Sequence, residues 1–141
     1  MNLRGEDGAV TLWMLVLSVI LLSLGGLSVD LWQVLADRRE LAAAADAAAF
    51  AAAGRVDEAH YRATGEVALQ VEAATAAAAT ILAARDGTGA DLLDADVLIA
   101  PDAATVTLVA RTDTVLLRLL DPSLRTLDLT VTSRAAPRLQ P

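Results

Sequence analysis

Residues 8–29 read GAVTLWMLVLSVILLSLGGLSV, an uncharged run of 22 residues that decides how the rest of the chain is placed. Because about 20 apolar residues span the roughly 30 Å hydrocarbon core of a bilayer as an α-helix, this run is long enough to cross a membrane. The next residues, 30–53, read DLWQVLADRRELAAAADAAAFAAA and contain no proline. Alanine has the highest helix propensity, so we predict one uninterrupted helix over residues 8–53, ended by Gly54 as a C-cap glycine.

A secretory signal peptide also begins with a basic residue before an apolar run, and Arg4 precedes the run here. A cleavable signal, however, has an apolar segment of about 7 to 15 residues followed by an Ala-x-Ala-like site. Since this run is longer and continues into helix-favouring sequence, we predict a retained membrane anchor. Basic residues leave its orientation open, because Arg4 flanks one end and Arg38 and Arg39 flank the other.

The composition is that of an acidic chain without cysteine. Of 141 residues, 18 are acidic and 11 are basic, so the formal net charge is −7. Because nucleic-acid binding rests on neutralising phosphates with basic side chains, we predict no nucleic-acid partner. The lack of cysteine excludes a disulfide framework, a thiol nucleophile and a thiolate metal site. The anchor leaves about a hundred residues, enough for one small domain with a thin core of alanine, valine and leucine.

After the first helix, the hydrophobic pattern changes from a helical period to alternation. Apolar residues at helical spacing predict a second helix from about residue 72 to 85, after an ambiguous segment that Gly65 interrupts. In residues 105–111, apolar side chains alternate with threonine, which predicts a strand with Val106 and Leu108 on one face. The other predicted elements are strands at residues 96–100 and 127–132, turns at 86–89 and 101–104, and a short helical link at 115–120 ended by Asp121 and Pro122.

These elements predict the fold class α+β. A long N-terminal transmembrane helix continues into an Ala-rich helix, a second helix follows, and a small antiparallel sheet of about three strands completes the chain. The strand order stays open. On the second helix we expect a buried stripe formed by Val67, Val71, Ala74, Ala78, Ile81 and Leu82.

No group of residues forms a pattern typical of an active site, so we predict a protein that is not an enzyme, with no catalytic residue, metal or cofactor. His60 is the only histidine, and its neighbours Asp57 and Glu58 lie at a helix break, where exposed polar residues are expected. A hypothesis that these residues leave open is an anchored enzyme that uses Asp57, His60 and Asp86. The turn that begins at Asp86 lacks the alternating oxygen ligands and the closing glutamate of a calcium loop.

Two acidic residues of the first helix are candidate contact residues. Asp30, at the end of the apolar run, is either a solvated helix exit or a partner for a cation of a neighbouring protein. Asp46 interrupts the alanine run, and it either belongs to the polar side of the helix, satisfied by Arg39 or solvent, or marks a contact face. The small side chains around it, including Ala45 and Ala49, allow another helix to approach closely. We therefore predict helix packing or partner contact at Asp30, Ala45, Asp46 and Ala49.

The first 54 residues resemble the N-terminal segment of TadG-like and TadE/G-like proteins, which are membrane-anchored components of tight-adherence (Flp) pilus systems. The resemblance rests on the order and spacing of Gly8-Ala9-Val10, Val29-Asp30-Leu31, Glu40-Leu41, Ala45-Asp46-Ala47-Ala48-Ala49 and Ala51-Ala52-Ala53-Gly54. The last strands are similar to the β-rich tails of smaller actinobacterial members. TadG itself is usually much larger, so the resemblance indicates a short, pseudopilin-like member.

The resemblance implies a location outside the cytoplasmic membrane for the C-terminal part. It gives the following division: a short leader at residues 1–7, a transmembrane segment at 8–29, a juxtamembrane Ala-rich helix at 30–54 and a small extracytoplasmic αβ domain at 55–141. It also implies a single-pass protein of the cell membrane. Its expected partners are the membrane, other Tad/Flp pilus or secretion components and, through the N-terminal helix, further copies of itself.

Family members that a prepilin peptidase processes carry a glycine before the cleavage site and a glutamate five residues into the mature chain. Cleavage between Gly8 and Ala9 is therefore a candidate processing step, although the fifth position is occupied here by Trp13. The leading hypothesis is a non-catalytic, membrane-anchored component of a Tad/Flp-type pilus assembly or secretion apparatus, in a minor pilin-like or scaffold role. The alternative is a membrane-tethered extracytoplasmic binding module for an envelope ligand.

Overall fold

A computed structural model describes residues 6–85 and 89–137, except for the side chains of Glu6, Asp7 and Leu120. Most of the predicted leader and the predicted turn residues 86–88 lie outside the described residues. The elements follow one another in the order α1 (Glu6–Ala53), α2 (Glu58–Thr64), α3 (Val71–Ala83), β1 (Asp91–Ala100), β2 (Ala103–Asp113), α4 (Leu117–Leu120), a 3-10 turn (Pro122–Arg125) and β3 (Thr126–Ala135). The predicted α+β fold class is confirmed.

Helix α1 is one uninterrupted helix of 48 residues, as the sequence predicts. In the part of the chain that the structure describes, it is the one helix long and apolar enough to cross a membrane. The side chains of its apolar half are exposed up to Leu24, as expected of a helix that faces lipid. The hydroxyls of Ser18, Ser23 and Ser28 donate to the carbonyl oxygens four residues earlier, at 2.8, 2.8 and 2.9 Å. These hydrogen bonds satisfy the hydroxyls without water.

The end of α1 differs from the prediction of a C-cap glycine. The helix does end at Ala53, but Gly54 is not among the glycines with positive φ. Instead, its N–H donates to the carbonyl oxygen of Phe50 at 3.1 Å, and Arg55 N–H donates to that of Ala52 at 3.0 Å, which tightens the last turn. The left-handed cap lies at Gly65, where φ is 77° and α2 ends. The predicted break at Gly65 is confirmed.

The sheet is an antiparallel meander with β2 in the centre and the order β1-β2-β3. Leu108 of β2 lies opposite Ala95 on one side and Val131 on the other. Val106 and Leu108 are fully buried, whereas Thr105 and Thr107 face the other side, so the predicted alternation is confirmed.

Strand β1 begins at Asp91, five residues before the start that the sequence predicts. A bulge between Leu92 and Asp94 breaks the alternation of side chains at the start of this strand. Because the period of two is lost there, the sequence pattern does not reveal those residues as a strand. These residues belong to strand β1 because they pair with the end of β2, where Asp91 lies opposite Arg111.

The core lies between the inner face of the sheet and a layer formed by α3 and the second half of α1. Among the described residues, the large side chains that are fully buried are Leu41, Val106 and Leu108, and most of the other core residues are alanines. The core is thin, as expected. The stripe predicted on the second helix is buried only in part, because Ala74 and Ala78 are buried while Val71 and Ile81 are exposed.

Candidate functional site

Three aspartates of α1 face the sheet and the connection that follows β2. Asp30 and Asp37 are buried, and Asp46 is exposed at the edge of the same interface. Each carboxylate accepts a hydrogen bond from a residue at least 75 positions away in the sequence. They therefore fix the position of α1 against the rest of the domain.

Asp30 caps a short helix that lies 85 to 87 residues later in the chain. Its Oδ2 accepts the N–H groups of Leu116 and Leu117 at 2.6 and 2.7 Å, and its Oδ1 accepts that of Val115 at 3.3 Å. These are the free N–H groups at the start of α4, which side chains or water normally satisfy. The hydrogen bond from Leu117, above all, holds the pKa of the Asp30 carboxyl below its ordinary value, although desolvation opposes this shift.

One of the two sequence interpretations of Asp30 is wrong, whereas the other, contact with a cation of a neighbouring protein, stays a prediction. With 3% of its surface exposed, it is not a solvated helix exit. Its charge is also engaged within the chain by three backbone donors, with Arg118 near enough to add a favourable interaction. A helix cap formed by a distant residue leaves no local sequence signal, because capping patterns are read from neighbouring residues.

The connection that Asp30 holds, residues 114–125, is called the docked loop below. Thr114 closes its base: its N–H donates to the carbonyl oxygen of Arg125 at 2.9 Å, and its hydroxyl donates to that of Leu124. Leu116 packs against Gly26 so closely that a Cβ at this glycine would overlap the leucine side chain. A Cβ at the neighbouring Gly25 would meet nothing within 4 Å. Gly26 is therefore the residue that lets the docked loop reach α1.

Asp37 and Asp46 bind the two strands of the sheet that flank the docked loop. The Thr112 hydroxyl of β2 donates to Asp37, and both residues are buried. The Ser133 hydroxyl of β3 donates to Asp46 at 2.5 Å. Within the chain, the partner of Asp46 is thus Ser133 and not Arg39, and the exposed carboxylate also remains accessible to solvent.

Residues 8–55 match the family model described as putative Flp pilus-assembly TadE/G-like. The chain carries a TadE/G-like segment. This segment coincides with α1 and includes all three aspartates. Comparison with curated proteins and with solved structures gives no significant match. The family supports a role in pilus assembly, suggests a non-enzymatic role and implies contact with the membrane and with other pilus components, while the long apolar helix is consistent with membrane anchoring.

Two of the predicted contact residues in the TadE/G-like segment face the inside of the domain. Ala45 and Ala49 are fully buried in the core with α3 and the sheet. Helix packing at these alanines therefore takes place within the chain. Contact of Asp30, Ala45, Asp46 or Ala49 with a partner protein stays a prediction.

The opposite side of the TadE/G-like segment carries exposed apolar side chains. Trp32 is 68% exposed and Phe50 is 73% exposed. They are 18 residues apart, so they lie on one line along the helix, about five turns or 27 Å from each other. We call this surface the outer ridge; it consists of Trp32, Leu35, Ala36, Arg39, Ala43, Ala47 and Phe50, all exposed.

The candidates for catalysis do not form a site in the described part of the chain. Asp57 accepts the backbone N–H of His60 at 2.9 Å and thereby caps α2. His60 is exposed, and Asp86 lies outside the described residues. No group of three or more histidine, aspartate or glutamate side chains in residues 6–85 and 89–137 could hold a metal ion.

Proposed function

We propose that this protein is a non-catalytic, membrane-anchored component of a Tad/Flp-type pilus assembly or secretion apparatus, in a minor pilin-like or scaffold role. The observation that carries the proposal is the coincidence of the TadE/G-like match at residues 8–55 with a single helix whose first half is apolar and exposed. Large exposed apolar surfaces mark sites of contact with lipid or protein. Such a helix supports anchoring by its first half and assembly through its second.

In this proposal, residues 8–29 span the membrane once and the C-terminal domain is extracytoplasmic. The Ala-rich segment 30–54 is distinguished from the domain 55–141 by sequence, and its packing against α3 and the sheet supports treating the two as one folded unit. Residues 1–7 form a leader, and Gly8–Ala9 is the candidate processing site. The mature N-terminus, measured by mass spectrometry, distinguishes a chain that begins at Ala9 from one that retains the leader.

The orientation can be tested with a single introduced cysteine, because the chain has none of its own. Asp96 is exposed on β1, so Asp96→Cys presents a thiol to the medium in which the domain lies. In intact cells we expect this thiol to react with a membrane-impermeant maleimide as fully as it does after permeabilisation. Labelling that requires permeabilisation would place the domain in the cytoplasm and contradict the proposal.

We propose further that the outer ridge packs against the N-terminal helix of another pilus subunit. The ridge is continuous with the lipid-facing half of α1. Between its two aromatic side chains, the small residues Ala36, Ala43 and Ala47 permit the close approach of a second helix. The opposite face of α1 is already covered by the chain's own core. A partner helix that follows α1 out of the membrane would meet the ridge first.

Cross-linking tests this contact. We expect Ala43→Cys, on the outer ridge, to be captured in cells by a thiol cross-linker together with an identified pilus component or a second copy of this chain. Thr132→Cys, on the exposed outer face of the sheet, is the matched control and is expected to remain uncross-linked.

Phe50→Asp should abolish pilus assembly at normal protein levels, whereas Leu98→Asp, at another exposed apolar position, should not.

The contrary results are equally clear. Unchanged piliation in Phe50→Asp, together with no capture through Ala43→Cys, would remove the packing role of the ridge. If cells lacking the protein also assembled pili normally, the alternative of a binding module for an envelope ligand would be favoured.

A further inference from the structure

In the anchored arrangement proposed above, the docked loop lies at the level where the membrane ends. The proposed span ends at Val29, and about 20 residues from Gly8 already cover the hydrocarbon core, so its outer edge lies between Leu27 and Val29. Leu116 packs against Gly26, on the membrane side of this edge, and Asp30 holds the start of α4 one helical turn further out. The loop thus reaches about 6 Å back along α1 from Asp30 towards the bilayer.

The side chains that the docked loop leaves exposed suit a membrane surface. Leu119 is 75% exposed, and Val115 is exposed as well. Leu119 lines an open pocket of about 390 Å³ together with Arg118, Pro122 and Arg125. A leucine beside two arginines suits the boundary between acyl chains and headgroups, where the leucine enters the apolar layer and the arginines contact phosphates.

The charge of the docked loop differs from that of the chain as a whole. The loop contains two arginines and one acidic residue, Asp121, whereas the whole chain has a net charge of −7. The Asp121 carboxylate accepts the N–H of Ser123 at 2.8 Å, at the start of the 3-10 turn. In the described residues, no ion pair joins Arg118 or Arg125 to an acidic side chain. Both guanidinium groups can therefore bind anionic groups outside the chain, and Arg118 in addition interacts favourably with the Asp30 carboxylate from beyond ion-pair distance.

We propose that the docked loop is a second membrane contact, in which Leu119 and Val115 insert into the outer boundary of the bilayer and Arg118 and Arg125 bind the phosphates of anionic phospholipids. The occupant is the lipid surface that surrounds α1, because the loop is continuous with the exposed apolar half of that helix. This inference rests on the membrane anchoring proposed above and is independent of the pilus role. The contact would fix the tilt of the domain relative to the membrane. With α1 as the single attachment, the domain could tilt freely about the point where this helix leaves the bilayer.

The test uses the full chain in lipid nanodiscs, with an environment-sensitive fluorophore on one introduced cysteine. Leu119→Cys reports on the docked loop. Leu98→Cys is the matched control, because it is also an exposed leucine, at 63% exposure, but pairs with Thr105, roughly 25 Å from the loop along β2. We expect lipid-borne nitroxides to quench the Leu119→Cys label several-fold more strongly than the Leu98→Cys label, and aqueous iodide to do the reverse. Equal quenching of both labels would overturn the proposal.

The role of the arginines is tested by lipid composition. Replacing phosphatidylcholine in part by phosphatidylglycerol should increase lipid quenching of the Leu119→Cys label, and R118Q together with R125Q should abolish the increase. R55Q together with R62Q removes two exposed arginines at the other end of α1 and should leave the increase intact. Inorganic phosphate should not compete; competition would assign the pocket to free phosphate. Because the nanodisc contains no pilus component, failure here leaves the pilus role standing, and failure of piliation leaves this contact standing.

Discussion

Ala48→Leu is expected to destabilise the domain strongly, because residue 48 has no exposed surface and lies where α1 meets the rest of the core. Adding methylene groups to a packed core costs about 1 to 3 kcal/mol, and occasionally more. For a domain of this size each kcal/mol corresponds to roughly 4 to 8 °C in the midpoint of thermal unfolding. The thin core of this protein has few large side chains that could move to accept a leucine. Thermal unfolding of the full chain in detergent, followed by circular dichroism of the sheet, measures the change.

Ala47→Leu is the matched control, since residue 47 is the exposed neighbour of Ala48. The same substitution there should change the unfolding free energy by no more than about 0.5 kcal/mol. Equal destabilisation by both substitutions would mean that helix α1 itself, and not its packing on α3 and the sheet, is sensitive to leucine. Equal tolerance of both would mean that the alanine face does not form the core.

Removing the Asp30 carboxylate is expected to release the docked loop from α1 while the sheet remains folded. Asp30→Ala leaves three partly buried N–H groups without their acceptor, whereas Asp30→Asn retains one acceptor oxygen and loses the charge. Tryptic cleavage after Arg118 and Arg125 should therefore accelerate in the order wild type, Asp30→Asn, Asp30→Ala. Because cleavage follows the population of the open loop, we expect about tenfold or more acceleration for Asp30→Ala. Gln33→Ala, at an exposed position one turn further along α1, is the control.

The same contact can be broken from its apolar side. Gly26→Leu places a side chain where Leu116 packs, so it should also accelerate cleavage of the docked loop, whereas Gly25→Leu should not. If both glycine variants behaved alike, the effect would come from helix propensity, because leucine raises it equally at either position. Unchanged cleavage in Asp30→Ala and in Gly26→Leu would show that the loop is held by other contacts.

The Asp30 interaction also predicts a pH dependence. The folded-state pKa of this carboxyl is lowered, so its contribution is fully present above the ordinary aspartate pKa of about 3.9 and is lost as the pH falls through the lower, folded-state value. The pKa of Asp121, in the docked loop, is also lowered, chiefly by the hydrogen bond that its carboxylate accepts from the Ser123 N–H. Hydrogen exchange at the Leu116 and Leu117 amides, corrected for its intrinsic rate, should stay slow from neutral pH to about pH 5 and become fast in stronger acid. In Asp30→Asn the acid step at these amides should be largely absent.

The elements with strong local patterns could be predicted from the sequence. The run at residues 8–29 and the alanines after it specify one helix, and the alternation in residues 105–111 specifies the central strand and its buried face. The start of β1 could not be predicted, because its bulge removes the alternation. The end of α1 at Ala53 agrees with the prediction, but the conformation of Gly54 does not, since this glycine does not adopt the left-handed conformation that a C-cap glycine usually has.

The contacts of the candidate site could not be predicted from neighbouring residues in the sequence. Both Asp30 and Asp46 attract attention in the sequence, yet their partners lie 85 to 87 residues away and carry no mark of the contact. Nothing in the sequence distinguishes Gly26 from Gly25, although only Gly26 admits the side chain of Leu116.

The sequence by itself determined an apolar helix long enough to cross a membrane, its continuation through the alanine run and the similarity of residues 8–55 to pilus-assembly proteins, because these depend on length, apolarity and the order of neighbouring residues. Only the tertiary structure decided which face of that helix remains free. The alanine face is buried in the chain's own core, and the aspartates accept hydrogen bonds from the docked loop and the sheet. Trp32 and Phe50 remain exposed. The physical reason is that the composition of this helix makes several of its faces suitable for burial. Which of these faces is covered depends on contacts with residues far away in the chain.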